Sequence, residues 1–218
     1  ERERRLVQML VSALADQALT KDSSLSDGVH LVWSHPQVLA ELAETLGVLE
    51  DRVDHVHQPL RTHPGAPLQI HARYSRIEIL AAMGLAGDRA KIAAWQSGVY
   101  EAKPANAEIL AFTLDKSSGG FSPTTRYRDY AVSRSLIHWE SQSTTRESSA
   151  TGLRYRNHER DGRSILLFAR ERADDRAFWF LGPATYRGHV GEKPMAITWE
   201  LDVPLPGDLY AAFAAAVA

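Results

Sequence analysis

The chain has 218 residues, 44% of them hydrophobic, with 25 basic and 27 acidic side chains and a net charge of −2. This supports a sizeable core in one large domain or two small ones and excludes a disordered chain; no apolar run approaches the ~18–20 residues that cross a bilayer, so a membrane protein is excluded too. Cysteine is absent, which excludes disulfides, thiolate metal sites and a cysteine nucleophile.

In chain order, Leu6, Leu10, Ala13, Leu14 and Ala18 recur at helical spacing, and this helix is expected to stop before Lys21-Asp22-Ser23-Ser24. Val29 to Trp33 is a short apolar run that fits a strand. Ser34-His35-Pro36-Gln37 has the form of a capping box and predicts a helix through Val38, Leu39, Leu42, Ala43 and Leu46, with Gly47 as its stop. Segment 58–67 holds Pro59, Pro64, Gly65 and Pro67 and is the best linker candidate. A second capping box, Ser75-Arg76-Ile77-Glu78, opens a helix that ends at Gly84.

Beyond this point the pattern becomes β. Strands are predicted over 108–114, 136–142, 164–172, 177–181, 185–189 and 195–202. Met195, Ile197, Trp199 and Leu201 alternate with polar or small residues, as on a half-buried strand. Ile165-Leu166-Leu167-Phe168 is continuously apolar, as for a strand buried on both faces, and Asp161-Gly162 reads as a hairpin turn leading into it. The expected architecture is therefore α+β: a helical segment over 1–60, then a β-rich domain over 68–209 built as a mostly antiparallel barrel or sandwich. The opening Glu1-Arg2-Glu3-Arg4-Arg5 lacks both an initiator methionine and a secretory leader, which suggests a piece of a longer, cytoplasmic protein.

Charge is uneven along the chain. Residues 1–70 carry a balance of −4, whereas residues 121–172 hold ten arginines against six carboxylates and no lysine. Arginine offers a planar fork for phosphate and stacks on bases. In Phe121-Ser122-Pro123-Thr124-Thr125-Arg126-Tyr127-Arg128-Asp129-Tyr130 and His138-Trp139-Glu140-Ser141-Gln142, hydroxyls, arginines and aromatics interleave. Ser122, Thr124 and Thr125 are candidates for phosphate oxygens, with charge from Arg126, Arg128, Arg154 and Arg156. Tyr127, Tyr130 and Trp139 are candidates for base stacking, Gln142 for reading a base edge, and His138 for a further contact to nucleic acid. The competing account is a β domain with internal Arg–Asp pairs and core aromatics.

Motifs for nucleotide binding, dinucleotide binding, a nucleophile elbow or a His-Glu-x-x-His zinc site are missing. His55, His57 and His63 lie beside Asp51 and Asp54, yet their spacing matches no standard ligand pattern, so neither metal nor cofactor is expected. His138 and Glu140 share a strand face and could cooperate in proton transfer; the alternative is that both face solvent while Trp139 faces the core.

The strings Phe-Ser-Pro-Thr-Thr-Arg-Tyr-Arg-Asp-Tyr at 121–130 and His-Trp-Glu-Ser-Gln-Ser at 138–143 resemble a bacterial domain of unknown function. That family lies C-terminal to superfamily-II helicases of the DEAD/DEAH type, often with a phospholipase-D-like nuclease domain at the other end. His71-Ala72-Arg73-Tyr74-Ser75, Trp95-Gln96-Ser97-Gly98-Val99, Leu166-Leu167-Phe168-Ala169-Arg170 and Pro194-Met195-Ala196-Ile197-Thr198-Trp199 extend the resemblance over residues 68–209. It implies a role in restriction or phage defence, with the helicase portion of the parent chain and DNA as partners. The implied domain is non-catalytic and reads a modified base or backbone, similar in spirit to SRA or PUA-like domains. The alternatives are a module that docks on the helicase core, and a hydrolase using His138 and Glu140.

Overall fold

A computed structural model gives the structure of residues 1–53, 55–92, 95, 97–115 and 129–216. The chain forms two compact units, one of residues 1–69 and 74–96, the other of residues 70–73 and 97–218.

The first unit contains α1 (Arg2–Ala15), α2 (Leu25–Trp33), α3 (Pro36–Glu50) and α4 (Arg76–Ala82), with short strands β1 (Gln58–Pro59) and β2 (Gln69–Ile70). The run 29–33, expected as a strand, is helical. Its start lies upstream at Ser24, whose hydroxyl accepts from the Asp27 amide while the Asp27 carboxylate accepts from the Ser24 amide. The box expected at Ser34–Gln37 is not formed. Ser34 Oγ instead donates to the Leu31 carbonyl at the end of α2, and α3 begins at Pro36 without a side-chain cap. It continues through Gly47 to Glu50. The box at Ser75 and Glu78 is present as expected, and Gly84, with φ +74°, lies just past the end of α4.

Residues beyond the Pro-rich segment belong to the helical unit because α1 holds them through its polar residues. Arg5 donates to the Ala82 carbonyl, Gln8 Nε2 to that of Arg89 and Ser12 Oγ to that of Ala90. Val11, Ala15, Leu19, Val32 and Ala90 form this unit's buried centre. Gly28 lets α1 and α2 approach closely, since a Cβ there would sit 2.4 Å from Val11 Cγ1.

The second unit is built on β3 (Arg73–Ser75, entering through Arg73), β4 (Val99–Ala102), β5 (Ala107–Thr113), β6 (Tyr130–Ala131), β7 (Leu136–Glu140), β8 (Ser164–Arg170), β9 (Ala177–Val190) and β10 (Ala196–Leu201). Helices α5 (Ala150–Arg156) and α6 (Gly207–Ala216) complete it. The sheet order is β4-β5-β8-β9-β10-β7-β6, with β3 beside β9. Along this order neighbouring strands run antiparallel, except β5 with β8, which are parallel. The expected barrel is corrected here: among the described residues β4 and β6 are separate edges of an open sheet. One face is covered by helices, with Tyr155 of α5 and Leu209 and Phe213 of α6 packed on Trp139, Leu167, Ile197 and Trp199.

The centre is buried on both faces, as the apolar run 165–168 predicts; Ile165 to Phe168 are at most 1% exposed. The two strands expected at 177–181 and 185–189 are one continuous strand. Gly182 and Pro183 interrupt the apolar pattern without ending it, because a register shift opposite Leu167/Phe168 accommodates them. The Asp161-Gly162 turn leads from α5 into β8 and is not a hairpin, since β8 pairs in parallel with β5. Among the described residues no helix is long and apolar enough to cross a membrane.

Candidate functional site

The side of the sheet that faces away from α5 and α6 presents, at β6, β7, β10 and β9, one row of residues in direct register. Tyr130 lies opposite His138, His138 opposite Thr198, and Thr198 opposite Gly188. Tyr130 is 38% exposed, and its ring stacks on the His138 imidazole, with ring centroids 4.7 Å apart and planes inclined by 23°. At the other end of the row, a Cβ added to Gly188 would meet no described residue within 4 Å. A neighbouring row holds Glu140, Ala196 and Val190, the last 78% exposed. His138 and Glu140 thus share this face, as their spacing requires.

Trp139 points the other way. It is 4% exposed and meets Tyr155 edge-on at 5.6 Å, which makes it a core residue with no free ring face for a base. Gln142 is exposed in the loop after β7, where its carbonyl accepts from the Thr145 amide. Arg154 is turned inward: its Nε donates to the Glu108 carboxylate at 2.5 Å. Glu108 is fully buried and also receives Arg163 at 3.2 Å, while Glu101 lies 3.8 and 3.4 Å from the two guanidiniums. Burial pushes the Glu108 carboxyl above its ordinary range, and its two arginines oppose that shift. Ser122, Thr124, Thr125, Arg126, Tyr127 and Arg128 lie outside the described residues.

The arginine surplus of residues 121–172 is therefore largely neutralised where it is described. Arg154, Arg156, Arg160, Arg163 and Arg172 face carboxylates, and Arg134 and Arg170 donate to backbone carbonyls. The sequence placed the arginines but not their partners, which sit up to 71 positions away. His55 and His57 meet edge-on at 5.4 Å, and Asp54 lies outside the described residues. Among the described residues no three histidine, aspartate or glutamate side chains gather as metal ligands.

A second polar constellation escaped the sequence reading apart from Arg156. Tyr186 and His189 of β9 meet Glu147 and Arg156 at the rim of the helix-covered face. The Tyr186 hydroxyl lies 2.5 Å from His189 Nδ1, His189 Nε2 lies 3.3 Å from Glu147 Oε2, and Arg156 Nη1 lies 3.5 Å from the same oxygen. Beneath them is His158, 4% exposed, whose Nδ1 faces the Arg163 carbonyl and whose Nε2 accepts from the Tyr186 amide. Burial holds the His158 imidazole below its ordinary range, hence neutral. No sequence signal marks this group, because a register irregularity in β9 creates it.

The family model described as "Domain of unknown function (DUF3427)" matches residues 68–213, two thirds of the chain, and the chain belongs to that family. No curated protein matches the sequence.

Proposed function

We propose that this DUF3427 chain is a non-catalytic DNA-binding module of a cytoplasmic restriction or phage-defence protein, working beside a helicase or nuclease portion and reading a modified base or backbone. The observation that carries the reading is the Tyr130–His138 stack on the sheet face turned away from α5 and α6, continued by Thr198 and the bare Gly188. A flat ring on a shallow strand surface is a stacking platform for an unpaired or everted base, worth ~1–3 kcal/mol per base. The segment 121–128, which precedes β6 in the sequence, carries arginines and hydroxyls, groups suited to binding phosphate.

The test is fluorescence anisotropy with labelled single- and double-stranded oligonucleotides, modified and unmodified, at two salt concentrations. Affinity is expected to fall linearly with log salt. Tyr130→Ala should weaken binding about 5- to 150-fold while lowering stability only by the lost cross-strand stack on His138, about 0.2–1 kcal/mol. No binding to any oligonucleotide at low salt overturns the proposal.

A protein-docking role has one specific observation behind it. Helix α3 has no buried residue, and Val38, Leu46 and Leu49 are each more than half exposed. On that reading the chain ignores DNA and co-purifies with the helicase portion of its parent.

A further inference from the structure

We propose that Arg156 and His189 form a phosphate-binding site, oriented by Tyr186, whose seat is filled by the Glu147 carboxylate in the free protein. The proposal takes the source of its ligand, the DNA backbone, from the preceding reading.

The strand is shaped for this purpose. Along β9, Thr198 pairs with Gly188 but Trp199 pairs with Tyr186, so Arg187 is an extra residue with no cross-strand partner of its own. Tyr186 and His189 are three apart and would project to opposite faces of a regular strand. The bulge brings both to the Trp199 side, where His189 lies opposite Ile197. It also takes the Tyr186 amide out of the ladder, and the buried His158 Nε2 accepts that amide at 3.0 Å. The irregularity is therefore held from beneath by a dedicated imidazole.

The hydrogen bonds run in one direction. Burial raises the Tyr186 phenol, so it remains an O–H donor, and its neighbour across 2.5 Å is His189 Nδ1. With Nδ1 accepting, the ring carries its proton on Nε2, which faces Glu147 Oε2. Arg156 reaches the same oxygen. One anionic oxygen thus bridges a guanidinium and an imidazole N–H. Its contacts of 3.3 and 3.5 Å are longer than the ~2.7–2.9 Å of a well-formed charge-assisted bond, and the Glu147 side chain is 45% exposed. A carboxylate held so loosely is readily displaced into water. A phosphate offers the same bridging oxygen with a second one for the arginine fork. Since all four groups sit on a rigid strand, a short helix and one loop, exchange needs only the Glu147 side chain to swing out.

The experiment compares the whole chain with Glu147→Ala, with Arg156→Ala in that background, and with Asp174→Ala as an equal charge change at another exposed site. Inorganic phosphate is titrated against the ring nitrogen signals of His189, identified through His189→Gln, and an oligonucleotide is titrated in parallel. Glu147→Ala should show saturable phosphate shifts at His189 and bind DNA about fivefold more tightly than Asp174→Ala does, and the added Arg156→Ala should abolish both. Phosphate shifts at His189 without DNA binding by any variant would keep the site, with free phosphate as ligand, and remove the nucleic-acid reading. DNA binding that is equal in Glu147→Ala and Asp174→Ala, with unmoved His189 signals, would overturn the site and leave the nucleic-acid reading standing.

Discussion

Replacing His158 by leucine is the most informative single test of the fold around β9. The imidazole is 4% exposed and joins two backbone groups that have left the regular ladder, the Arg163 carbonyl at 3.1 Å and the Tyr186 amide at 3.0 Å. Leucine has similar bulk, so the cavity contribution is small, but both groups lose their partner. Each buried group left unsatisfied costs about 1–3 kcal/mol, and since Arg163 and Tyr186 are both half-buried residues each takes the lower part of that range; the expected loss is about 2–4 kcal/mol. That is a large fraction of the ~5–15 kcal/mol available to a domain. Urea unfolding at pH 7.5, followed by tryptophan fluorescence, reads it out through Trp199, which His158 meets edge-on at 5.9 Å.

The same residue carries a pH signature. Its folded pKa lies below the ordinary value of 6.5 because of burial, so below that pH the unfolded chain binds the extra proton and the folded one does not. Stability is then complete above about 6.5 and declines as pH falls, by up to ~1.4 kcal/mol per pH unit for one proton. His158→Leu should lose this acid-side decline. A loss under about 1 kcal/mol at pH 7.5, or a variant with the wild-type decline intact, refutes the role assigned to His158.

Two further substitutions probe separate parts of the molecule. Gly28→Ala places a Cβ 2.4 Å from Val11 Cγ1 and 3.1 Å from Ala90 Cβ; overpacking of about 1–3 kcal/mol should outweigh the ~1 kcal/mol gain in helix propensity, and an unchanged or raised melting temperature would contradict this. Glu108→Gln leaves Arg154 and Arg163 without their buried counter-charge. Glu101 still lies within 3.8 Å of both, so the loss should fall below the usual ~3–5 kcal/mol, near about 2 kcal/mol in a urea titration, and a stabilised variant would argue against it.

The elements most readily seen in the sequence were those whose cause is local. The Ser75–Glu78 cap, the alternation along 195–201 and the doubly buried run at 165–168 depend on neighbours in the chain, and each appears where expected. Val29–Trp33 misled because five apolar residues fit either period, and the deciding signal was the Ser24–Asp27 cap upstream. β9 looked like two strands because Gly182 and Pro183 ordinarily end one. Helix α5 drew no notice, although Ser149 caps it by accepting from the Gly152 amide. The site suffered most from distance. Whether Arg154 meets phosphate or a buried carboxylate depends on Glu108, 46 positions earlier in the chain. Likewise Tyr186 and His189 share a face only through a bulge that no composition records.

The parallel contact between β5 and β8 also bears on how the molecule assembles. Ala107 pairs with Ser164, and between them in the chain come β6 and β7, at the far edge of the sheet, and α5. Loop closure over such a span is entropically expensive, whereas the β9–β10 hairpin closes over a handful of residues. Folding should therefore begin in the C-terminal half, with β5 docking late, so that the most deeply buried strand pair is among the last to become solid.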